Sequence, residues 1–288
     1  MIPGPFEYHR PGSVDEVVAL LGKFGDDGRV IAGGHSLIPM MKLRLAVPEH
    51  LIDLRDVGGL AGISEDGDTI VIGAMTTQAE VLASALLAAK CPILLEAATL
   101  IADPQVRYFG TVGGNVANGD PGNDLPALMQ CLDASYVLYG PNGERTVAAR
   151  DFYEAAFFTK RSDDELLTAI RVPTPADGHG SAYEKLKRKT GDYATAAAAV
   201  VLGMAGGTCT AASIALTNVG DTPLYAEAAG TALVGSTLDE AAVSAAVEAA
   251  KAITAPAGDL RGPPEYRTYV AGVMVRRAIE RAAARATA

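Results

Sequence analysis

The sequence is poor in cysteine and histidine. It contains only three cysteines, Cys91, Cys131 and Cys209, and no C-x-x-C pair. An iron–sulfur cluster needs about four thiolate ligands, so this chain cannot hold one alone. An odd number of widely spaced cysteines is typical of reduced thiols in a cytoplasmic protein. Three of the four histidines, His9, His50 and His179, are scattered without metal-ligand spacing, so we expect no metal site on this chain.

An excess of positive charge is also lacking, because the formal net charge is -10. Nothing would offset the repulsion between this chain and a phosphate backbone, which excludes a general nucleic-acid partner. An acidic chain can still hold an anionic cofactor, since local backbone dipoles decide such binding.

No apolar run is long enough to cross a bilayer. The most apolar stretch, 194–205, is mainly alanine and is interrupted by Thr195 and Gly203. The start, MIPGPFEYHR, has no basic end followed by an apolar segment, so we expect no secretory signal and a cytoplasmic location. Apolar residues make up 49% of the chain, which is enough for a sizeable core, and 288 residues suggest two domains.

The residue patterns predict an α+β chain. Ser13 precedes an amphipathic helix, and a strand, glycine turn, helix and strand follow over 29–54. Hairpins are indicated over 62–72 and 136–147, helices over 77–87, 92–101 and 126–132, and a long polar loop with five glycines over 103–123. Residues 173–178 are the best boundary. Beyond them we predict strands over 182–189, 196–204 and 210–216, then helices over 238–253 and 265–284.

Two glycine pairs recur in similar surroundings. The first motif is Ala32, Gly33, Gly34, His35 and Ser36; the second is Thr111, Val112, Gly113, Gly114 and Asn115. Paired glycines allow positive φ and can turn successive N–H groups into a concavity that binds an anion. Two such loops could clamp one pyrophosphate, and two ordinary tight turns are the alternative. Neither motif matches the dinucleotide fingerprint G-x-G-x-x-G or the P-loop.

These motifs carry a family resemblance. Ala-Gly-Gly-His-Ser followed by Arg107-x-x-Gly-Thr-x-Gly-Gly-Asn115 resembles the FAD-binding medium subunits of the molybdenum hydroxylases, the xanthine dehydrogenase family. The segments 101–107, 118–124, 185–194 and 253–256 are especially similar to the aerobic carbon monoxide dehydrogenase branch. The resemblance implies an FAD domain of the vanillyl-alcohol oxidase type over 1–177, with α+β subdomains 1–55 and 56–177. A C-terminal α+β domain with an antiparallel sheet and helices would occupy 178–288.

The resemblance also implies roles for single residues around a non-covalent FAD. Both glycine motifs would hold the pyrophosphate, with His35 as a hydrogen-bonding loop residue, and Ile101 and Ala102 would approach the cofactor. Asp124 would lie near the adenosine ribose, cap a helix, or do both. Lys185 would lie beside the flavin or its phosphates, or else be a solvated lysine. Tyr193 would cover the flavin ring, or else belong to the core.

The resemblance further implies a division of labour among subunits. A large subunit would carry the molybdenum cofactor, a small one would carry two iron–sulfur clusters, and the complex would be a dimer of such heterotrimers. No residue of this chain would be catalytic for substrate oxidation. It would pass electrons from the clusters through FAD to a quinone or another external acceptor, with a possible peripheral contact at the inner face of the cytoplasmic membrane. The alternatives are the flavin subunit of an NAD-using xanthine or aromatic-heterocycle dehydrogenase and a non-redox phosphate-ligand-binding protein.

Overall fold

The computed structural model describes residues 1–286, and its N-terminal part is a small parallel sheet. The strands are β1 (Glu7–His9), β2 (Gly28–Ile31) and β3 (His50–Asp53), in the order β1-β3-β2. Helix α1 (Val14–Phe24) begins as predicted at Ser13, whose hydroxyl accepts a hydrogen bond from Glu16 N–H. Helix α2 (Leu37–Lys42) connects β2 to β3. The predicted strand, glycine turn, helix and strand are confirmed.

A five-stranded antiparallel sheet follows, in the order β4-β5-β10-β6-β7. Its strands are β4 (Ile63–Asp66), β5 (Thr69–Gly73), β6 (Ser135–Gly140), β7 (Gly143–Ala148) and β10 (Leu166–Pro173), and a short hairpin joins β8 (Tyr153–Ala155) to β9 (Phe158–Thr159). Six helices lie between β5 and β6: α3 (Gln78–Ala83), α4 (Ala85–Lys90), α5 (Pro92–Leu100), α6 (Pro104–Phe109), α7 (Val112–Ala117) and α8 (Asp124–Cys131). Both predicted hairpins are confirmed.

One helix prediction and one loop prediction in this region are wrong. The single helix expected over 77–87 is broken at Ser84, which ends α3 and caps α4 through a hydrogen bond from Leu87 N–H. The long loop expected over 103–123 contains α6 and α7, each begun by a side-chain cap, Asp103 for α6 and Thr111 for α7. The glycines of this segment suggested a loop, but tertiary packing stabilises helix there.

The C-terminal part is a four-stranded antiparallel sheet covered by helices. Its strands are β11 (Gly180–Leu186), β12 (Ala196–Ala205), β13 (Thr208–Thr217) and β14 (Leu224–Tyr225), in that order. The helices are α9 (Glu227–Leu233), α10 (Glu240–Ala252) and α11 (Pro264–Arg285). The predicted strands and both long helices are confirmed, as is the α+β class. Within residues 1–286, no helix combines the length and apolarity needed to cross a membrane.

Strand β12 explains the alanine-rich stretch. Ala197 and Ala199 pack into the core formed with the second sheet and helices α5 and α8, whereas Ala198 and Val200 pack against the C-terminal helices. Successive side chains of a strand point to opposite faces, so both faces of this sheet are buried. Small residues allow helices to approach it from both sides. One sheet therefore joins the two halves of the chain.

We expect Ala198→Val to destabilise the protein by about 1–3 kcal/mol, because the added methyl groups overfill a fully buried position. Differential scanning calorimetry would show this as a lower melting temperature. Ala211→Val, at an exposed position of β13, is the matched control and should leave the melting temperature nearly unchanged. Equal losses in the two variants would contradict the two-sided burial of β12.

Candidate functional site

A cavity of about 830 Å³ lies where the three sheets meet. Its wall contains residues from β2, the α6–α7 segment, α8, β11 and the segment just after β11. All the predicted site residues except Val112 line it: Ala32, Gly33, Gly34, His35, Ser36, Ile101, Ala102, Thr111, Gly113, Gly114, Asn115, Asp124, Lys185 and Tyr193. Val112 is buried in the core behind them. Residues far apart in the sequence are thus brought to one site.

The first glycine motif leaves donors free. It follows β2 directly, and only Gly34 of the four motif glycines has a positive φ, at 75°. Among residues 1–286, no group accepts a hydrogen bond from the N–H groups of Gly34, His35 or Ser36. Consecutive unbonded N–H groups beside a cavity are suited to an anion. These free N–H groups have the arrangement that the predicted anion-binding concavity requires, and anion binding at this motif stays a prediction.

The second motif differs, because the N–H groups of its glycine pair are already bonded, so the predicted concavity of N–H groups is wrong there. Thr111 caps α7, and its hydroxyl accepts from Gly114 N–H at 3.1 Å. The N–H groups of Val112 and Gly113 donate to Thr76 and Ala74 carbonyls, both at 2.8 Å. Its backbone donors are therefore used within the protein, and this motif contributes side chains and close packing instead.

The glycines are required for that packing. A Cβ at Gly33 would lie 2.2 Å from the carbonyl oxygen of Phe109, and one at Gly113 would lie 2.5 Å from Ala74 Cβ. Real Cβ atoms do not approach neighbours so closely. Backbone therefore packs on backbone between the first motif and the segment before α7, which brings the two motifs to the same wall.

Two buried amide oxygens at the cavity have no partner among the described residues. They are Asn115 Oδ1 and Gln78 Oε1, and both side chains line the cavity. A buried polar atom without a hydrogen bond lowers the stability of the folded state by about 1–3 kcal/mol, so each such atom calls for an explanation. At a cavity wall, a bound ligand that donates a hydrogen bond is one. Gln78 was missed by the sequence analysis, because nothing in its surroundings distinguishes it from an ordinary helix residue.

Asp124 and Lys185 form a buried ion pair at the cavity wall. Lys185 Nζ lies 2.6 Å from Asp124 Oδ2, and their side chains are 1% and 5% exposed. Tyr183 also donates to Asp124, at 2.6 Å. The alternatives of a solvated lysine and a helix cap are both wrong, because Lys185 is enclosed and Asn123 occupies the cap position of α8. Tyr183 was missed, although its spacing of two from Lys185 places both on one strand face.

The basic run after Lys185 also turns inward at first. Lys187 Nζ donates to the Leu100 carbonyl at 2.9 Å, and Lys185 donates to the same oxygen at 3.3 Å. Burial and the nearby Lys185 charge lower the pKa of Lys187. Lys189 is exposed, so only the end of this run is solvated.

Ile101 and Ala102 end α5 at the cavity. Arg107 holds the turn by donating to the Ile101 carbonyl at 2.7 Å. Ala102 has a φ of 44°, a conformation that is uncommon for a residue other than glycine. Such strain persists where surrounding contacts impose it, often at a binding site. The backbone here is thus held in a specific shape beside the cavity.

Tyr193 covers one side of the cavity with a half-exposed ring, so the alternative of a core tyrosine is wrong. Its ring packs on Gly122, where a Cβ would lie 2.9 Å from Tyr193 Cδ1. Arg261 stands over the ring, with the guanidinium carbon 5.7 Å from the centroid. Burial, followed by the nearby Asp120 carboxylate, raises the pKa of Tyr193, so its hydroxyl stays protonated.

Asp192 anchors this tyrosine. Its two carboxylate oxygens accept from Arg188 and Arg261, each at 2.8 Å. The hydrogen bond from Arg188, helped by that from Arg261, lowers the pKa of Asp192 to about 2. Nothing in the sequence indicates this cluster, because Arg261 lies 69 residues from Asp192.

The chain matches two family models, the FAD binding domain in molybdopterin dehydrogenase over residues 4–175 and the CO dehydrogenase flavoprotein C-terminal domain over residues 181–282. It belongs to the FAD-binding subunits of the molybdopterin dehydrogenases.

Particular members of this family are very similar over their whole length. The carbon monoxide dehydrogenase medium chain of Afipia carboxidovorans is 67% identical over 286 residues, with 99% of each chain covered. A chain of the reconstituted CO dehydrogenase from Oligotropha carboxidovorans superimposes with a TM-score of 0.99 at 67% identity, covering 99% of this chain and 100% of that one. A chain of quinoline 2-oxidoreductase from Pseudomonas putida gives 0.94 at 36% identity, covering 99% of each.

The cavity of this flavoprotein subunit fits FAD. The free N–H groups of the first motif suit a pyrophosphate, and the orphaned amide oxygens suit the hydroxyl donors of a ribose or ribityl chain. The three cysteines are all buried and unpaired, and burial raises the pKa of Cys91 and Cys131 to about 12. Thiols held in this protonated form are poor metal ligands. The chemistry of this subunit therefore lies in the flavin cavity.

We expect Gly33→Ala to reduce the FAD content of the flavoprotein subunit and to lower its melting temperature. The added methyl group would displace the Phe109–Gly110 backbone and separate the two motifs. Acid-released FAD per chain and calorimetry measure both effects. Gly58→Ala, where a Cβ meets nothing within 4 Å, is the control. Full FAD content in Gly33→Ala would contradict the packing role of this glycine.

Asp192→Asn should lower the melting temperature at neutral pH, because the two arginines lose a carboxylate. The folded-state pKa of Asp192 is depressed, so its contribution is present above its usual pKa of 3.8 and is lost as the pH falls through about 2. The difference between wild type and variant should therefore shrink in acid. The exposed Asp221→Asn should show no such pH-dependent difference. A difference that stayed constant down to low pH would exclude the ion-pair explanation.

Proposed function

We propose that this chain is the FAD-carrying electron-transfer subunit of an aerobic carbon monoxide dehydrogenase. It receives electrons from iron–sulfur clusters of a partner subunit and passes them to a quinone or another external acceptor. The observation that carries the proposal is the run of unbonded N–H groups at Gly34–Ser36 in a cavity of about 830 Å³. The 67% identity to a carbon monoxide dehydrogenase medium chain supports the substrate of the whole complex.

FAD, when bound, supplies the one-electron and two-electron redox chemistry, and this chain supplies binding and orientation. The N–H groups of Gly34, His35 and Ser36 hold the pyrophosphate without a covalent bond. Thr111 and Asn115 present side-chain oxygens from the second motif. Two separate loops on one wall fix the long cofactor at more than one point, which limits its movement.

The rest of the wall orients the cofactor. Tyr193 offers a ring that can cover the flavin by stacking. Lys185 and Asp124 hold opposite charges 2.6 Å apart, so the field of the ammonium group is largely cancelled at a distance. We therefore assign this pair to hydrogen bonding and to the position of β11 against α8. A long-range electrostatic effect of Lys185 on the reduced flavin would be weak.

The proposed partners are those of a three-subunit enzyme. A large subunit carries the molybdenum cofactor and oxidises the substrate, and a small subunit carries the iron–sulfur clusters. The buried thiols of this chain agree with clusters held elsewhere. We propose a dimer of these heterotrimers in the cytoplasm, in peripheral contact with the inner membrane face where a quinone is the acceptor. Residues 1–177 would form the FAD domain and 178–288 the C-terminal domain.

An NAD-using heterocycle dehydrogenase is the second candidate. The similarity to quinoline 2-oxidoreductase at a TM-score of 0.94 means that the fold alone does not separate the two. The sequence identity favours carbon monoxide, because it is 67% to the CO dehydrogenase chain and 36% to the quinoline 2-oxidoreductase chain. The non-redox phosphate-binding alternative is set aside, since the family carries FAD.

The test is to purify the complex from its source and add carbon monoxide without oxygen. We expect one FAD per chain and bleaching of the visible flavin band, followed by reoxidation with a quinone. In a complex carrying Gly33→Ala, carbon monoxide should still reduce the iron–sulfur clusters, but transfer to the quinone should fall with the FAD content. Bleaching by a heterocycle and reoxidation by NAD would favour the second candidate.

A further inference from the structure

The structure brings two side chains of β1 together with one from β3, 41 residues farther along the chain. Glu7 and His9 alternate along β1 and share one face, and the parallel register pairs Glu7 with His50 on β3. His9 Nε2 lies 3.1 Å from His50 Nδ1. Glu7 Oε2 lies 3.3 Å from His50 Nδ1 and 3.9 Å from His9 Nε2. His9 and His50, which are scattered along the sequence, are therefore neighbours in the fold.

These separations match a metal coordination shell. Zn²⁺ binds imidazole nitrogen at about 2.0–2.1 Å and carboxylate oxygen at about 2.0–2.2 Å in a tetrahedron, so its ligand atoms lie about 3.3 Å apart. The three atoms of this cluster lie within 4.8 Å of one another. Two of the three pairs, at 3.1 and 3.3 Å, already have the spacing of neighbouring ligands on one such ion. Two nitrogens and one oxygen form the donor set that zinc and its neighbours in the d-block prefer.

The surroundings hold the two imidazoles and leave the third ligand accessible. Phe24 stacks on His50 with ring centroids 3.7 Å apart and lies 4.9 Å from the centroid of His9. The histidine side chains are 24% and 19% exposed, whereas that of Glu7 is 74% exposed. Arg10, which follows His9, donates from Nε to Asp56 Oδ2 at 2.7 Å, so its positive charge is neutralised outside the cluster.

We propose that Glu7, His9 and His50 bind one divalent d-block cation such as Zn²⁺, with water completing the tetrahedron. The ion ties the three-residue strand β1 to β3 and so fixes the N-terminus on the FAD domain. None of the three residues lines the flavin cavity. The site is structural, and its loss changes stability before it changes electron transfer.

The test uses the untagged full chain after treatment with a chelator. Calorimetric titration with Zn²⁺ should give one ion per chain and a higher melting temperature. His9→Ala and His50→Ala should each weaken binding by at least about tenfold, as loss of a ligand requires. His179→Ala is the matched control, because it removes a histidine that lies outside the cluster. The buried thiols do not compete for the ion.

Glu7→Gln should leave the fold intact, because the Glu7 side chain is exposed. It should also weaken Zn²⁺ binding. Circular dichroism checks that the histidine variants fold. The proposal is overturned if the wild-type chain takes up no Zn²⁺, or if Glu7→Gln and a folded His9→Ala bind it as tightly as wild type. A loss in His179→Ala equal to that in His50→Ala would overturn it too. Flavin content stays unchanged in the cluster variants, so this test is independent of the proposed function.

Discussion

Contact between backbones without intervening side chains is the constraint on which the flavin cavity depends. Gly33 packs on the Phe109–Gly110 backbone, and Gly113 packs on Ala74, at distances that exclude a Cβ. A methyl group at Gly33 would separate the parallel sheet from the segment that leads into α7, and one at Gly113 would separate α7 from the segment that follows β5. The two motifs therefore have different structural roles. One leaves its N–H groups free beside the cavity, and the other bonds its own to Thr76 and Ala74, which fixes α7 against the segment that follows β5.

The alanine-rich sheet closes the cavity from the other side. Because Ala197 and Ala199 have short side chains, β12 lies close to the helices beneath it, and β11 carries Lys185 directly to Asp124. A buried ion pair contributes little net stability, since desolvation offsets the attraction, but breaking it leaves an uncompensated charge. The pair thus specifies how β11 docks on α8. Tyr193 follows on the same chain segment, and Asp192 anchors it between two arginines.

Much of the fold could be predicted from local patterns. The capped helix at Ser13, both hairpins and the C-terminal strands are where hydrophobic periodicity and turn residues indicate. The segment 103–123 was predicted wrongly, because its five glycines lower helix propensity while their value for tertiary packing is invisible locally. Gln78, Tyr183 and the arginine cluster around Asp192 were missed for the same reason. Their roles depend on partners that are distant in the sequence.

The sequence by itself determined the chemistry that the chain can offer: few thiols, no excess of positive charge, two glycine motifs and an α+β pattern typical of the family. These features depend only on composition and on residues that lie close together in the sequence. Only the tertiary structure decided which N–H groups stay free, that Lys185 is paired, and that His9 meets His50 across 41 residues. Hydrogen bonds and ion pairs act over a few ångströms, and only the packed chain sets distances on that scale.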